Sequence, residues 1–208
     1  MRGTFVVIEG ATGVGKTTLA TRLAAVLDAT VVFDPFEANP FLPALLAAGP
    51  KATPELALRV ELTFFALRVA QLRQVDAVLA AGRSVVADWA LLKQPIFAAT
   101  TLDAADTALL AATVEVWTPA LPTPDLLIAL SASADVLHGR VRLRGRDMEA
   151  GVTGVQLETL SAAFEAVYRA WARPLIRVHT DTFNVFDDHH LTELAAQVRQ
   201  LPTLLEPR

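Results

Sequence analysis

A glycine-rich segment near the start of the chain carries the most specific chemical signal. Residues 10–17 read Gly-Ala-Thr-Gly-Val-Gly-Lys-Thr and fit the spacing G-x-x-x-x-G-K-[ST] of a phosphate-binding loop. The glycines of such a loop let backbone N–H groups turn toward phosphate oxygens at a helix N-terminus. Lys16 can neutralise the β- and γ-phosphates of a nucleotide, and Thr17 can bind Mg²⁺. The alternative, an ordinary glycine-rich turn, does not call for Lys-Thr at the helix start.

Two carboxylates follow predicted strands, at the edge where an open parallel sheet binds its ligands. Asp34 follows the second predicted strand and Asp88 follows the third. Phosphoryl transfer needs a positioned hydroxyl, a carboxylate that accepts its proton, a metal and cations. Asp34 and Asp88 can therefore serve as general base and metal ligand. The alternative for each is a cap on the turn or helix that follows it.

An arginine cluster lies on a later helix and its exit. Arg140 and Arg144 are four residues apart and share a helix face, and Arg146 begins a polar loop that runs to residue 154. The cluster indicates a lid that brings guanidinium groups onto a transferring phosphate and the donor nucleotide. The alternative is that these cations only complement the helix C-terminus.

The apolar pattern predicts the elements that must position these groups. Short apolar runs predict five strands, at residues 4–9, 30–33, 84–87, 126–130 and 175–179. Helical spacing predicts helices at 16–27, 54–81, 95–99, 103–117, 133–145, 155–172 and 191–201, with Ser133 as a cap. Strands that alternate with helices indicate an α/β fold, a parallel sheet with helices on both faces.

Composition limits the classes of protein that can carry this loop. The chain has 208 residues, which suggests one domain, and its 53% hydrophobic and 19% charged residues exclude intrinsic disorder. The absence of cysteine excludes disulfides and zinc–thiolate sites. The net charge of −4 argues against a nucleic acid polymer as partner. No apolar run reaches the roughly 18 residues of a membrane span, and residues 5–8 are too short for a signal peptide, so we expect a cytoplasmic protein without membrane contact.

Several of these residues together resemble the deoxynucleoside kinase family. The shared features are Ile8-Glu9-Gly10 before the loop, Asn39-Pro40-Phe41 after the second strand, and the residues discussed above, with Arg68 and Glu149. The resemblance runs from about residue 4 to residue 200 and is closest to bacterial deoxyguanosine and deoxyadenosine kinases. It implies a P-loop kinase fold with a five-stranded parallel sheet flanked by helices and an Arg-rich lid. We expect a single domain over residues 1–208, with the lid at about 145–154.

The resemblance also implies an activity and the residues that serve it. It implies transfer of the γ-phosphate of ATP to the 5′-hydroxyl of a deoxynucleoside, with Mg²⁺, by a homodimer. The expected ATP-binding residues are Gly10, Ala11, Thr12, Gly13, Val14, Gly15, Lys16, Thr17, Thr18, Arg140, Arg144 and Arg146. The expected catalytic residues are Lys16, Asp34, Asp88, Lys93 and Arg144, with Asp34 favoured as the base and Thr17 and Asp88 on the metal. The expected nucleoside-binding residues are Asp34, Glu61, Arg68, Gln94 and Glu149, the last facing the sugar 3′-hydroxyl.

Three positions depart from the pattern of the family. Trp89 stands where an arginine usually follows the acid after the third strand. Lys93, four residues on, can supply that cation if the segment is helical; otherwise it is a solvated side chain. Leu46 stands where a tyrosine often touches the sugar, and Gln94 stands where an aspartate often pairs with the base-reading arginine.

Glu61 and Arg68 lie seven residues apart on one helix face, where the family reads the nucleobase. The family commonly has glutamine at the position of Glu61. A carboxylate only accepts hydrogen bonds, which suits the N1–H and N2 amino donors of guanine. Arginine can bridge the O6 and N7 acceptors of guanine. We therefore expect deoxyguanosine to be preferred over deoxyadenosine; the alternative is that Glu61 and Arg68 form a surface pair.

Three other functions stay open at this point. A deoxyadenosine kinase differs only in the base. A thymidylate-kinase-like nucleoside monophosphate kinase usually carries Asp-Arg-aromatic where this chain has Asp88-Trp89-Ala90. A catalytically weak nucleotide-binding subunit that regulates a partner is compatible with Trp89 and Leu46.

Overall fold

The five apolar runs form one parallel sheet in the computed structural model, which describes residues 2–145 and 152–200. The strands are β1 (Phe5–Glu9), β2 (Thr30–Val32), β3 (Val85–Ala87), β4 (Leu126–Ser131) and β5 (Leu175–His179). Their order in the sheet is β2-β3-β1-β4-β5, and every neighbouring pair is parallel. All residues of β1 and β3 are buried, as expected for strands that are covered on both faces. The predicted five-stranded parallel sheet is confirmed.

The central strand β1 sets where a ligand can bind. From β1 the chain runs to one side of the sheet for β2 and β3, and then crosses to the other side for β4 and β5. Ligands of open α/β sheets bind beyond the carboxyl ends of the strands, at the point where the strand order reverses. The glycine-rich segment follows β1 directly, so it begins at that point.

The chain forms two compact units, and the sheet lies entirely in the first, which comprises the described residues within 1–33, 78–90 and 124–208. Its helices are α1 (Lys16–Leu27), α6 (Ala134–Arg144), α7 (Gly154–Ala170) and α8 (Asp188–Arg199). Helix α1 packs against α8, and α6 packs against α7. A capping box of Thr153 and Gln156 starts α7, and the Asp187 carboxylate caps α8.

The second unit comprises residues 34–77 and 91–123 and is helical. It contains α2 (Leu42–Ala48), most of α3 (Pro54–Ala80), α4 (Lys93–Thr101) and α5 (Ala104–Trp117). Short 3₁₀ turns lie at Phe36–Ala38, Gly49–Lys51 and Thr118–Ala120. Helix α4 packs against α5, and the Phe65 ring meets the Trp117 ring edge-on at 6.2 Å.

Two helices begin earlier in the structure than the sequence predicts, and one predicted cap differs in its contacts. Helix α4 begins at Lys93 rather than near residue 95, and α8 begins at Asp188 rather than 191. Ser133 precedes α6, but its side chain does not cap the helix; its backbone N–H donates to Asp181 at 3.2 Å instead. Ser133 is thus the N-cap residue of α6 as predicted, although its side chain makes no capping hydrogen bond. Across residues 2–145 and 152–200, no helix is long and apolar enough to cross a membrane.

Candidate active site

The glycine-rich loop between β1 and α1 has the backbone of a phosphate-binding loop. Gly15, the N-cap residue of α1, has φ +101°, and Gly13 has φ +85°. A Cβ on Gly13 would lie 2.9 Å from the Val141 side chain and 3.0 Å from the Leu137 carbonyl oxygen. Both the backbone angle and the close approach of α6 therefore require glycine at position 13.

Lys16 is the first residue of α1, and its ammonium turns back over the loop. It donates hydrogen bonds to the carbonyl oxygens of Gly10 at 2.7 Å and Ala11 at 3.1 Å. These contacts hold the positive charge against the loop whose amides are expected to surround phosphate. A lysine at this position after such a loop is the residue that can neutralise phosphate oxygens.

Thr17 and Asp88 meet beside the loop, although 71 residues separate them in sequence. The Thr17 hydroxyl donates to Asp88 Oδ2 at 2.5 Å. Asp88 follows β3, is 5% exposed, and donates its own N–H to the Val32 carbonyl oxygen of β2 at 3.1 Å. A hydroxyl and a carboxylate are the hard oxygen donors that Mg²⁺ prefers, so this donor pair fits that ion.

Two further groups near the loop had no role assigned from the sequence. Glu9, the last residue of β1, is fully buried. The feature of the sequence that could have indicated it is a carboxylate directly after an apolar run. Thr180, after β5, is also buried. Arg140 of α6 donates to the Thr180 hydroxyl at 2.7 Å and to its carbonyl oxygen at 2.8 Å, and reaches the Val14 carbonyl oxygen at 3.5 Å. Arg140 thus contacts the loop at the carbonyl oxygen of Val14.

The rest of the arginine cluster is described only in part. Arg144 ends α6 and is exposed. Arg146 and Glu149 lie outside the described residues, as does most of the predicted lid at 145–154. Their roles on ATP and on the sugar stay predictions.

Asp34 is the centre of a charge cluster in the second unit. Arg68 of α3 donates from Nε and Nη2 to the two Asp34 oxygens, each at 3.0 Å, in the bidentate arrangement that arginine favours. Lys93 of α4 donates to Asp34 Oδ2 at 2.8 Å and is 4% exposed, so it is not a solvated side chain. Burial acts to raise the pKa of Asp34, but the charges and hydrogen bonds of Lys93 and Arg68 outweigh it and hold the pKa well below its usual value.

A second chain of hydrogen bonds joins Arg68 to Glu61 through Gln94. Arg68 Nη1 donates to Gln94 Oε1, and Gln94 Nε2 donates to Glu61 Oε2 at 2.8 Å. Glu61 and Arg68 are each 3% exposed, so they are not a surface pair. Burial raises the pKa of Glu61, against the smaller opposing effects of its hydrogen bonds and of the Arg68 charge.

Thr101 extends this series of hydrogen bonds, and the sequence analysis did not identify it as a site residue. Its hydroxyl donates to Glu61 Oε1 at 2.9 Å, so both Glu61 oxygens accept a hydrogen bond. Gln94 and Thr101 are seven residues apart on α4, one face of the helix, and this spacing was the available signal. Asn39 holds the neighbouring turn of α3, since its Nδ2 donates to the Val60 carbonyl oxygen at 2.9 Å.

The positions that depart from the expected pattern have different surroundings. Trp89 is 1% exposed and belongs to the core of the first unit. Leu46 lies on α2 and is partly exposed. Gln94 takes over the expected pairing with Arg68, as an amide in place of a carboxylate.

A parallel sheet whose central strand leads through this loop into a helix defines a P-loop nucleotide-binding protein of the α/β class. The family model "Deoxynucleoside kinase" matches residues 6–202 of the chain. The chain belongs to the deoxynucleoside kinase family, a family of phosphate-transferring enzymes. The predicted family and P-loop kinase fold are thereby confirmed.

Individual relatives differ in the base that their names give. The chain is 31% identical to deoxyguanosine kinase of Bacillus subtilis (strain 168) over 166 residues, which cover 79% of this chain and 78% of that protein. It is 26% identical to deoxyadenosine kinase of Dictyostelium discoideum over 190 residues, 88% of this chain and 75% of the other. A structure of deoxyadenosine kinase from M. mycoides with bound dATP superposes with a TM-score of 0.74 at 20% identity, over 94% of this chain and 99% of that one. At that identity the superposition shows the fold.

Proposed function

We propose that the protein transfers the γ-phosphate of ATP to the 5′-hydroxyl of a purine deoxynucleoside, with deoxyguanosine as the preferred acceptor. The observation that carries the proposal is the buried Glu61, which only accepts hydrogen bonds when ionised and lies at the family's base-reading position. The resulting 5′-monophosphate is a product of nucleotide salvage. Arg144, Arg146 and Glu149 acting from a lid, a single domain, a homodimer and a cytoplasmic location are further predictions.

The first unit supplies the groups expected to bind the phosphate donor. The loop amides and Lys16, which lies over the loop, would hold the phosphates of ATP, and the paired oxygens of Thr17 and Asp88 would hold Mg²⁺. A Mg²⁺ ion held by these two oxygens would supply positive charge that neutralises the phosphates. Lys16 acts beside it, because it can follow the charge that develops on the γ-phosphate during transfer.

The second unit supplies the groups expected to bind the acceptor. Asp34 accepts a hydrogen bond from the 5′-hydroxyl and takes its proton as transfer proceeds. Its lowered pKa makes it a weak base but keeps it ionised, and a loose phosphoryl-transfer transition state needs positioning more than basicity. Other members of the family usually have an arginine at the position of Trp89. In this chain Lys93, on α4, supplies the corresponding positive charge next to Asp34.

Glu61 reads the base in this proposal. Each of its oxygens accepts one hydrogen bond, from Gln94 or Thr101, and a carboxylate oxygen has two lone pairs. Two acceptor sites therefore suit the adjacent N1–H and N2 amino donors of guanine. Adenine presents an acceptor at N1, which would face the carboxylate and leave a buried mismatch.

A substrate panel tests the proposed activity. ADP release measured with deoxynucleosides and deoxynucleoside monophosphates should be fastest with deoxyguanosine. Turnover of monophosphates alone would indicate a thymidylate-kinase-like enzyme, and no turnover at all would favour the regulatory subunit. Faster turnover of deoxyadenosine would contradict the base assignment and leave the kinase assignment intact.

Lys93→Met tests the cation that holds Asp34. We expect kcat to fall by about 10²-fold, as for the loss of one charge-stabilising donor. The pKa of Asp34 should rise, because burial still favours the neutral carboxyl while one opposing charge is gone. Since the ionised form is the active one, the acidic limb of the kcat–pH profile should move to higher pH.

Lys93→Arg is the matched control, because it keeps the charge on the same helix position. It should retain the wild-type acidic limb and lose less activity than Lys93→Met. Equal profiles for Lys93→Met and the wild type would remove Lys93 from the site.

A further inference from the structure

Glu9 is a carboxylate in a place where an apolar side chain would satisfy the packing. It ends the central strand β1, whose other residues are all buried hydrophobic ones, and is itself 0% exposed. An ionised carboxylate in such surroundings is costly unless hydrogen bonds compensate for the lost water. The hydrogen-bond partners of Glu9 therefore indicate what this carboxylate does in the core.

The two oxygens of Glu9 bind two different backbone segments. Oε1 accepts a hydrogen bond from the Ala90 N–H at 2.7 Å, and Oε2 accepts one from the Gly10 N–H at 3.3 Å. Gly10 is the first residue of the phosphate-binding loop, and Ala90 follows Asp88 by two residues. One buried side chain thus connects the start of the loop to the segment that carries Asp88.

The Asp88 segment is held from both sides by these contacts. Strand β3 ends at Ala87, and the Asp88 N–H still donates to the Val32 carbonyl oxygen of β2. Beyond that point the Glu9 carboxylate replaces a strand as the acceptor for Ala90. The backbone amides of Asp88 and of Ala90, two residues on, are therefore both anchored, and the Asp88 carboxylate accepts the Thr17 hydroxyl.

We infer that Glu9 is a positioning residue that holds Asp88 against Thr17 and so determines how tightly this oxygen pair binds Mg²⁺. The inference rests on the proposed assignment of Mg²⁺ to Thr17 and Asp88. Groups that orient metal ligands typically change metal affinity by about 10- to 100-fold when they are replaced. Glu9 acts through the backbone of residues 88–90 and touches neither nucleotide nor metal in this scheme.

Glu9→Gln tests the inference through binding, without turnover. The amide keeps the size of the side chain but offers one acceptor oxygen, and its NH₂ group would face a backbone N–H donor. ADP binding is measured by calorimetry in excess EDTA and again in saturating Mg²⁺, and the ratio of the two Kd values gives the Mg²⁺ enhancement. We expect the enhancement to fall by about tenfold or more, toward that of Asp88→Asn.

Asp125→Asn is the matched control at the opposite edge of the same sheet. The Asp125 carboxylate is also buried and accepts a backbone N–H of β1, that of Phe5, at 2.8 Å. The substitution removes a comparable charge–amide contact far from the strand ends that carry the loop. The Mg²⁺ enhancement of Asp125→Asn should equal that of the wild type, even if the substitution lowers the thermal stability.

Each outcome separates the inference from the proposed function. A wild-type enhancement in Glu9→Gln beside a lost one in Asp88→Asn would overturn the role of Glu9 and leave the metal assignment standing. An undiminished enhancement in Asp88→Asn would overturn the metal assignment and the inference with it. If Glu9→Gln does not fold, Glu9→Asp, which keeps the charge and withdraws the oxygens by one methylene, must show the loss; its absence would overturn the inference.

Discussion

Lys16→Ala should lower kcat by about 10³-fold with any deoxynucleoside, since charge on the transferring phosphate would lose a preorganised cation. The protein should stay folded. The ammonium makes two hydrogen bonds to the carbonyl oxygens of Gly10 and Ala11, and such bonds contribute about 1 kcal/mol each to the free energy of unfolding. Single-turnover rates and a thermal unfolding curve measure both quantities.

Lys51→Ala is the control for this substitution, because Lys51 is an exposed lysine in a short 3₁₀ turn. It should have wild-type kcat and KM for ATP. Wild-type turnover in Lys16→Ala would show that the glycine-rich loop does not act on phosphate, and both the donor site and the family-based mechanism would need revision.

Local signals were sufficient to predict the sheet and the loop. Strand β5 and helix α1 have the predicted ends, because an uninterrupted apolar run or a glycine followed by helical spacing decides them. The same holds for the placement of Asp88 directly after β3. These features depend on residues within a few positions of one another, which a sequence displays.

The partners of the acceptor cluster could not be predicted in this way. Lys93 reaches Asp34 across 59 residues, and Thr101 reaches Glu61 across 40. Such contacts depend on where α4 begins and which face it turns to α3. The sequence pattern placed that helix two residues too late, so the direction of the Lys93 side chain was undetermined until the fold was known.

Arg68 makes contacts in the structure that its predicted role in base recognition did not include. The sequence assigned it to the base, whereas in the structure its guanidinium also donates to both carboxylate oxygens of Asp34 and to the amide oxygen of Gln94. The carboxylate expected to bind the 5′-hydroxyl and the amide beside Glu61 therefore share one cation. Changes at the base-reading end can for this reason alter kcat as well as KM.

Glu61→Gln should shift the preference from deoxyguanosine toward deoxyadenosine, and the ratio of the two kcat/KM values should change by about 10²- to 10⁴-fold. The glutamine amide offers a donor for adenine N1 and an acceptor for its N6 amino group, where the carboxylate offers acceptors alone. Steady-state kinetics with both nucleosides give the ratio. Glu55→Gln, the same change at an exposed position in the first turn of α3, should leave the ratio at its wild-type value.

The wild-type ratio of the kcat/KM values for the two nucleosides should also depend on pH, because the ionised form of Glu61 only accepts hydrogen bonds, whereas the protonated form also donates one. Burial raises the pKa of Glu61, so protonation begins at higher pH than for an exposed glutamate. The preference for deoxyguanosine should weaken as pH falls through that raised pKa, since the neutral acid presents one donor and suits adenine. In Glu61→Gln the ratio should not follow pH. A wild-type ratio that is constant with pH and unchanged by Glu61→Gln would assign base recognition to other residues, while transfer of phosphate to a deoxynucleoside would stand.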